Sequence, residues 1–273
     1  MHYKALSIAG FDGSGGAGIQ ADLKTFSAFG CYGMTVLTAL PVQNTCGVRS
    51  CYDIPLRAIE EQLHAIFDDI RPDSIKIGML FNSEIIELVA GFLRKNAMGI
   101  PIVIDPVTIA KSGDPLLLPE AVDTLISKLM PLATLITPNL PEAHTFTGVD
   151  AQCEENMLIV GQKLLDLGPQ YILLKGGHLT SSTSNDLFMS KDGQYHWLES
   201  PRIESKNTHG TGCTLSAAIT ACLAQNVEIQ KACDIAKRYL FNAINAAKEN
   251  SVGKGHGPVH HFYPLWPVDL SQF

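Results

Sequence analysis

The sequence predicts an α/β fold in which helices cover both faces of a mostly parallel central sheet. Short runs of apolar and β-branched residues alternate with amphipathic segments along most of the 273-residue chain. This alternation is typical of repeated strand–helix units, which place parallel strands beside one another under covering helices. No segment rich in Pro, Ser or charge divides the chain, so we expect one domain over residues 1–273.

Strands are predicted from apolar runs that are bounded by turn-forming residues. The predicted parallel strands cover residues 4–10, 34–40, 75–80, 100–105, 134–137 and 170–175. The rhythm then changes, because two short apolar runs, 187–189 and 195–197, flank Lys191-Asp192-Gly193. An Asp-Gly turn between such runs predicts an antiparallel hairpin that follows the parallel strands.

Helices are predicted from apolar residues that recur on one face. In the segment 55–70, Ile59, Leu63 and Ile66 follow one another at spacings of four and three residues, which is the period of an amphipathic helix. Further helices are predicted over residues 83–96, 119–130, 212–224 and 228–249.

Composition and charge favour a small anionic ligand over a polymer. The formal net charge is −7, so the chain offers no broad cationic surface for nucleic acid or anionic membranes. The seven cysteines are odd in number and form no Cys-x-x-Cys pair, which favours reduced thiols. No apolar run is long enough to span a membrane. We therefore expect a cytoplasmic protein that holds its ligand by local donors, a metal or a helix terminus.

A glycine-rich segment, Gly13–Gly18, follows the first predicted strand and opens a helix. It fits the pattern of dinucleotide-binding proteins, which also need an acidic residue near the end of the second strand. The chain has Gln43-Asn44 there, an amide in place of a carboxylate, so this interpretation is disfavoured. The glycines instead let the chain pass close to a substrate, with Asp12 and Gln43 as polar contacts. The sequence contains no Walker A motif.

Polar residues stand at the ends of three successive predicted strands. Asp105 ends the first, Asn139 and Glu142 follow the second, and Lys175 ends the third. In a parallel sheet the carboxyl ends of the strands form the usual ligand site. Asp105 can also cap the following turn, and Asn139 with Glu142 can form a helix capping box. Together they supply hard oxygen donors suited to Mg²⁺, and Lys175 can pair with a nucleotide phosphate.

The turn Gly210-Thr211-Gly212-Cys213 precedes an apolar helical run. Glycines at such a place let backbone N–H groups converge on an anion, and the helix dipole adds positive potential. The same environment favours the thiolate of Cys213, which can then accept a proton from a substrate hydroxyl. A tight glycine turn without a ligand is the alternative. Together with the strand-end residues, the turn completes a site for phosphoryl transfer.

These motifs occur in an order that resembles the hydroxymethylpyrimidine/phosphomethylpyrimidine kinases of thiamine biosynthesis, members of the ribokinase-like superfamily. The resemblance covers about residues 4–262. It implies a three-layer αβα fold, Mg²⁺ with ATP as phosphoryl donor, a homodimer, and two successive phosphorylations of 4-amino-5-hydroxymethyl-2-methylpyrimidine. The motifs are Gly13–Asp22, Gln43–Thr45, Lys76–Leu80, Asp105–Val107, Ala110–Gly113, Thr137–Glu142, Lys175–His178, Asn207–Cys213 and Gly253–Phe262.

The resemblance also implies roles for single residues. Gln43 would recognise the pyrimidine, and Gly210–Cys213 would form an anion hole with Cys213 as the base. Lys175 would act in both catalysis and nucleotide binding, and Asp105 and Glu142 would hold the metal. The remaining implied substrate contacts are Gly10, Asp12, Ala17, Met79 and Val107, and the remaining nucleotide contacts are Asn139, Thr208, Gly210 and Gly212.

The chain departs from the family pattern at a few positions. Phe11 and Gly13 replace polar residues of the glycine-rich motif, and Thr108 replaces a frequent Met. These departures affect the shape of the pocket more than the reaction class.

Two other functions stay open. A pyridoxal kinase also phosphorylates a hydroxymethylated aromatic N-heterocycle. A ligand sensor would keep the pocket without catalysis, but it has no need of Asp105, Lys175 and Cys213 together.

Overall fold

Eight strands form one sheet in a computed structural model that describes residues 3–108, 116–249 and 252–267. The predicted motif Ala110–Gly113 lies outside the described residues. The strands of this sheet are β1 Lys4–Ala9, β2 Tyr32–Leu37, β5 Ser74–Ile77, β6 Ile102–Ile104, β7 Leu135–Ile136, β8 Tyr171–Lys175, β9 Asp186–Ser190 and β10 Tyr195–Leu198. A separate antiparallel hairpin consists of β3 Ala39–Asn44 and β4 Gly47–Asp53.

The main sheet is mostly parallel, with the strand order β10-β9-β8-β7-β6-β5-β1-β2. All neighbours from β2 across to β8 pair in parallel. The last two strands, β9 and β10, pair antiparallel at one edge. The parallel strands and the late antiparallel hairpin are therefore confirmed.

Helices cover both faces of this sheet. Alternate residues of β6 show the two layers, since Ile102 and Ile104 belong to one apolar cluster and Val103 belongs to the other. The predicted three-layer αβα architecture is confirmed. The helices are α1 Gly18–Ala28, α2 Leu56–Phe67, α3 Ser83–Asn96, α4 Val122–Thr124, α5 Leu140–Thr147, α6 Glu154–Leu165, α7 Thr211–Ala224 and α8 Ile229–Ala247.

The ends of α3 illustrate how local sequence sets helix boundaries. The side chain of Asn82 caps the helix by accepting a hydrogen bond from the Ile85 amide at 3.0 Å. Glu84 lies in the first turn, and Arg94 and Lys95 lie in the last turn. The cap and the negative charge stabilise the N-terminus of the helix, and the two positive charges interact favourably with the negative end of the helix dipole.

The structure corrects two of the predicted elements. The predicted strand 34–40 is broken, because β2 ends at Leu37 and the chain enters the separate hairpin at Ala39. The alternation of apolar and polar residues continues through the break. It therefore cannot show that the chain stops pairing with β1 and begins to pair with β4. The predicted helix 119–130 is an irregular helical segment that extends over residues 119–132 and contains 3₁₀, α and π turns. Helix α6 is additional to the predicted helices.

All seven cysteines lie within the described residues, and all are free. Cys222 and Cys233 are buried in the apolar layer formed by α7 and α8. No helix among the described residues is both long and apolar enough to cross a membrane.

A buried ion pair ties α1 to the centre of the sheet. Lys76 on β5 lies 2.8 Å from the carboxylate of Asp22 on α1, and both side chains are fully buried. Ser7 on the neighbouring strand donates a hydrogen bond to the same carboxylate. Burial by itself would lower the pKa of Lys76, but the charge of Asp22 raises it above the ordinary value. The pair was not predicted, although a lysine inside an apolar strand is the sequence feature that could have indicated it.

We expect Lys76→Met to lower the free energy of unfolding by about 3–5 kcal/mol, because it leaves the Asp22 carboxylate buried without its cation. Urea denaturation measures this loss. The double variant Lys76→Met/Asp22→Leu should recover much of the loss, since it removes both charges.

Lys4→Met is the matched control. Lys4 pairs with Asp73 at 3.0 Å, but both side chains are about one-third exposed. Water therefore screens the pair, and its loss should cost less than about 1 kcal/mol. Equal losses from the two lysine variants would contradict a special role for the buried pair.

Candidate active site

A cavity of about 660 Å³ opens where the carboxyl ends of the parallel strands meet the N-terminus of α7. This is the edge at which open α/β sheets bind ligands, and the volume suits a small molecule. Of the predicted site residues, only Asp12 does not line it. Those that line it are Gly10, Ala17, Gln43, Met79, Asp105, Val107, Asn139, Glu142, Lys175, Thr208, Gly210, Thr211, Gly212 and Cys213.

The N-terminal turn of α7 forms an anion-binding geometry. Gly210 has a φ of +76°, and a Cβ there would overlap the carbonyl oxygen of Gly16, so only glycine fits. The first bond within the helix runs from the Thr214 amide to the Gly210 carbonyl at 2.9 Å. The amides of Gly212 and Cys213 precede that bond and point out of the helix end. They can therefore donate to an anion in the cavity.

Asp105 and Lys175 form a charged pair directly beside this turn. The Lys175 ammonium lies 3.1 Å from Oδ1 of Asp105, which also accepts a hydrogen bond from Thr137 at 3.2 Å. A Cβ at Gly212 would lie 3.1 Å from Oδ2 of Asp105 and 3.3 Å from Nζ of Lys175. The missing side chain thus lets the helix end approach both charges.

Oδ2 of Asp105 is buried and has no hydrogen-bond partner among residues 3–108, 116–249 and 252–267. A buried carboxylate oxygen that lacks a donor is costly unless a ligand supplies the missing interaction. The oxygen is a hard donor of the kind that Mg²⁺ prefers. No group of three or more metal-binding side chains occurs in the described part of the chain. This arrangement fits Mg²⁺, which binds through one or two carboxylates and takes its other ligands from phosphates and water.

Glu142 serves as a helix cap at the wall of the cavity. Its carboxylate accepts a hydrogen bond from the Asn139 amide, and the Asn139 side chain accepts one from the Glu142 amide, each at 2.8 Å. The capping box is therefore confirmed. Burial raises the pKa of Glu142 to about 7, although the nearby charge of Lys175 opposes the rise. Its role as a metal ligand stays a prediction.

Cys213 lies in the first turn of α7 and faces the cavity. Burial raises the pKa of its thiol to about 11, even though the ammonium of Lys76 lowers it. The carboxylates of Asp22 and Asp105 add to the rise. Burial and two negative charges thus oppose the stabilisation of a thiolate by the helix terminus, and the role of Cys213 as proton acceptor stays a prediction.

Asp12 lies behind the cavity wall, where it organises the glycine-rich loop. Its carboxylate accepts hydrogen bonds from the amides of Ser14, Gly16 and Ala17 at 2.7–3.1 Å. His209 lies 2.8 Å from the same carboxylate. Burial alone would raise the pKa of Asp12, but its hydrogen bonds, led by that from His209, lower it below the ordinary value. Asp12 thus has a structural role in this loop, and its contact with a substrate stays a prediction.

The opposite end of the cavity is formed by β1, the hairpin and the segment after β5. Gln43 projects from β3, and its amide nitrogen lies 3.5 Å from the Phe11 carbonyl oxygen, a long hydrogen bond. A Cβ at Gly10 would lie 3.0 Å from the sulfur of Met79, so a side chain there would narrow this end. The sequence had placed Gln43 at the end of the second strand of the main sheet, whereas it belongs to the separate hairpin.

Arg202 and Lys237 form a part of the cavity wall that was not predicted from the sequence. Arg202 donates hydrogen bonds to the carbonyl oxygens of Gly177, Leu179, Ser181 and Thr183 at 2.6–3.1 Å. One guanidinium thus holds the loop 177–183 in shape. Lys237 on α8 extends the wall and lies 2.6 Å from the carboxylate of Asp186. An arginine that binds only backbone carbonyls leaves no sequence motif, so no signal pointed to it.

A parallel sheet whose strand ends carry an acid and a lysine, facing a glycine-lined helix terminus, defines a small-molecule kinase of the ribokinase-like class. Solved structures of this class share the fold. The pyridoxal kinase of Staphylococcus aureus, solved in complex with AMP-PCP and pyridoxal, aligns with a TM-score of 0.86 at 33% identity, over 96% of this chain and 94% of that one.

The chain belongs to the phosphomethylpyrimidine kinase family, whose model matches residues 12–260. The hydroxymethylpyrimidine/phosphomethylpyrimidine kinase of Salmonella typhimurium is 49% identical over 263 residues, which cover 96% of this chain and 98% of the relative. The phosphomethylpyrimidine kinase of Clostridium difficile 630 has a solved structure that aligns with a TM-score of 0.79 at 45% identity, over 89% of this chain and 99% of that one. The resemblance found in the sequence is confirmed.

Gly210→Ala should lower turnover by about 10²-fold. The new methyl group would overlap the Gly16 carbonyl oxygen and so displace the anion-binding turn from the position that catalysis needs. Steady-state kinetics measure the loss. Gly30→Ala is the matched control: Gly30 has a φ of +74°, and a Cβ there meets no heavy atom within 4 Å among the described residues. Both variants carry the same backbone strain, so equal turnover in the two would contradict the steric argument.

Proposed function

We propose that the protein transfers the terminal phosphoryl group of ATP to the hydroxyl of 4-amino-5-hydroxymethyl-2-methylpyrimidine and then to the resulting monophosphate, in thiamine biosynthesis. One observation carries the proposal: the N-terminal turn of α7, the unpaired oxygen of Asp105 and the ammonium of Lys175 face one cavity. The name of the Salmonella typhimurium relative describes the same two acceptors.

The donor phosphates lie, in this proposal, between Lys175 and the amides of Gly212 and Cys213. The ammonium and the helix terminus supply positive potential from two sides, which stabilises charge that develops on the transferred group. Asp105 would hold Mg²⁺, which neutralises phosphate charge when bound. Glu142 borders the same space, and burial raises the pKa of its carboxyl group above the ordinary value.

Cys213 accepts the proton of the substrate hydroxyl in the first phosphorylation. Its thiol is neutral at neutral pH, since the pKa is about 11, so only a small thiolate fraction acts as the base. The second acceptor is a phosphate, which has already lost its protons near neutral pH because its second pKa is about 6. The second phosphorylation therefore needs little help from Cys213.

A pyridoxal kinase is the second candidate function. The specific observation in its favour is the TM-score of 0.86 with the Staphylococcus aureus pyridoxal kinase. The two candidates differ at Gln43, whose amide can donate to a ring nitrogen and accept from an amino group. An aminopyrimidine offers both partners, whereas pyridoxal lacks the amino group.

A coupled assay of ADP release with the two acceptors side by side tests the function. We expect a higher kcat/KM for hydroxymethylpyrimidine than for pyridoxal, and mass spectrometry should detect both the monophosphate and the diphosphate. A higher kcat/KM for pyridoxal would establish the second candidate. Turnover of neither acceptor would refute both functions.

The assembly state proposed for the protein is a homodimer. The hairpin beside the cavity exposes Val42, Tyr52 and, just after it, Leu56, with 37–60% of each residue accessible. Apolar side chains clustered on one exposed hairpin suit contact with a second copy. Light scattering at micromolar concentration distinguishes a dimer from a monomer.

Asp105→Asn should lower turnover by roughly 10²–10³-fold, because the amide cannot replace the carboxylate charge that would hold Mg²⁺. Affinity for the pyrimidine should change little, since Asp105 faces the donor end. Kinetics at limiting Mg²⁺ and calorimetry with the pyrimidine measure the two effects. Unchanged turnover at limiting Mg²⁺ would remove Asp105 from the metal site.

Gln43→Leu should weaken binding of hydroxymethylpyrimidine by about 1–3 kcal/mol, the usual value of a bidentate contact. Isothermal calorimetry measures the affinity. Binding of pyridoxal is the internal control and should fall less, because pyridoxal offers only one of the two contacts. Unaltered affinity for the pyrimidine would show that Gln43 does not recognise it.

Cys213→Ser should slow the first phosphorylation by about 10²–10⁴-fold and the second far less. In the wild type, the rate of the first step should rise between about pH 7 and about pH 9, because the thiolate fraction grows roughly tenfold per pH unit below the pKa. The serine variant should lose that rise. Equal effects on both steps, with an unchanged pH profile, would leave Cys213 as a packing residue.

A further inference from the structure

Asp12 and His209 join two loops that are distant in sequence but adjacent at the cavity. The imidazole Nε2 of His209 lies 2.8 Å from Oδ2 of Asp12, across a sequence separation of 197 residues. The Asp12 side chain is fully buried, and 14% of the His209 side chain is exposed. A contact so shielded from water is strong enough to hold two segments together.

Asp12 belongs to the acceptor side of the cavity. Its carboxylate gathers the amides of Ser14, Gly16 and Ala17, so it sets the shape of the glycine-rich loop before α1. Ala17 lines the cavity at the end of that loop. Among the described residues, the other hydrogen bonds of the Asp12 carboxylate stay within the loop, and the bond to His209 leaves it.

His209 belongs to the anion-binding side. It directly precedes Gly210, and its amide donates a hydrogen bond to the Gly257 carbonyl at 3.0 Å. A Cβ at Gly16 would clash with the imidazole ring, and a Cβ at Gly210 would overlap the Gly16 carbonyl. The two loops therefore touch through glycine backbone, and the Asp12–His209 bond lies at their contact.

Phosphoryl transfer depends on the relative position of these two loops. The acceptor oxygen and the leaving oxygen lie roughly in line with the transferred phosphorus, and a displacement of about 1 Å is enough to cost 10²-fold in rate. The hydrogen bonds of Asp12 lower its pKa below the ordinary value, so the carboxylate stays ionised near neutral pH. The bond to His209 is thus a lasting charge-assisted contact.

We propose that His209 is a positioning residue that locks the acceptor-side loop to the anion-binding turn through Asp12, and that this lock aligns the acceptor hydroxyl with the transferred phosphoryl group. The proposal rests on the proposed function, in that it requires phosphoryl transfer across this cavity.

Loss of the lock has a specific consequence. Both half-sites stay formed, because the glycine-rich loop keeps its amide bonds to Asp12 and α7 keeps its first bond from Thr214 to Gly210. The acceptor hydroxyl is then misaligned with the phosphoryl group, which is transferred to water instead. That reaction breaks the bond between the terminal phosphorus and the bridging oxygen of ATP, forms a bond to the water oxygen, and releases ADP, phosphate and a proton.

The test compares His209→Leu, which removes the bond, with His209→Gln. The glutamine side chain is long enough for its amide to donate to Asp12. ADP and phosphorylated acceptor are quantified in the same reaction, together with the KM for ATP and the melting temperature. The acceptor is whichever of the pyrimidine and pyridoxal the wild type phosphorylates, so a wrong acceptor assignment does not change the outcome.

His144→Leu is the matched control. His144 pairs with Asp150 at 2.9 Å, but both side chains are more than half exposed on the surface. It should behave as the wild type. We expect His209→Leu to lower kcat by about 10²-fold with little change in the KM for ATP, and to release more ADP than phosphorylated acceptor. His209→Gln should keep most of the turnover and a ratio near one.

Three results would overturn the proposal. One is a His209→Leu enzyme with wild-type kcat and equal ADP and product. Another is a His209→Gln enzyme as impaired as the leucine variant. The third is a fall in kcat that is fully explained by unfolding of the variant, as its lower melting temperature would show. If the leucine variant fails to fold, His209→Asn replaces it, because its shorter amide cannot reach Asp12; asparagine and glutamine variants with equal product ratios would then refute the lock.

Discussion

The N-terminal turn of α7 passes so close to the glycine-rich loop that it requires glycine at Gly210, and Gly212 lets it lie close to two charged side chains. The first lies against the Gly16 carbonyl, and the second lies beside the Asp105 carboxylate and the Lys175 ammonium. This close approach brings the free amides of a helix end to the edge where the parallel strands end. The turn therefore lies beside the Asp105 carboxylate, the Lys175 ammonium and the glycine-rich loop at once.

Local charge outweighs the overall charge of the molecule. The chain carries a net charge of −7, yet its cavity is equipped for anionic substrates. Lys175 and Lys76 supply positive charge at the cavity, and each is paired with a buried carboxylate, Asp105 and Asp22 respectively. Paired burial keeps both lysines protonated and fixed in place. The oxygen of Asp105 outside this pair, which has no hydrogen-bond partner among the described residues, is the one that we propose as a ligand of Mg²⁺.

The two proposed acceptors would place different demands on one cavity. An alcohol needs a base, whereas a phosphate needs positive charge and space. As the proposed base, Cys213 would meet the first demand only weakly, because burial and the carboxylates of Asp22 and Asp105 raise the pKa of its thiol. A neutral thiol, however, does not repel a phosphate acceptor as a fixed carboxylate would. A cysteine at this position therefore suits an enzyme that phosphorylates both an alcohol and its phosphate.

The sequence by itself determined the parallel sheet, most of the helices and the strand ends at which Asp105, Asn139 and Lys175 meet. Apolar periodicity is local, and the carboxyl ends of parallel strands always share one edge, so these features follow from the order of residues alone. Only the tertiary structure decided that the Asp12 carboxylate binds the amides of its own loop and His209, and that burial raises the pKa of the Cys213 thiol. Hydrogen-bond partners and burial come from segments nearly two hundred residues apart, such as His209 for Asp12, and no local pattern records them.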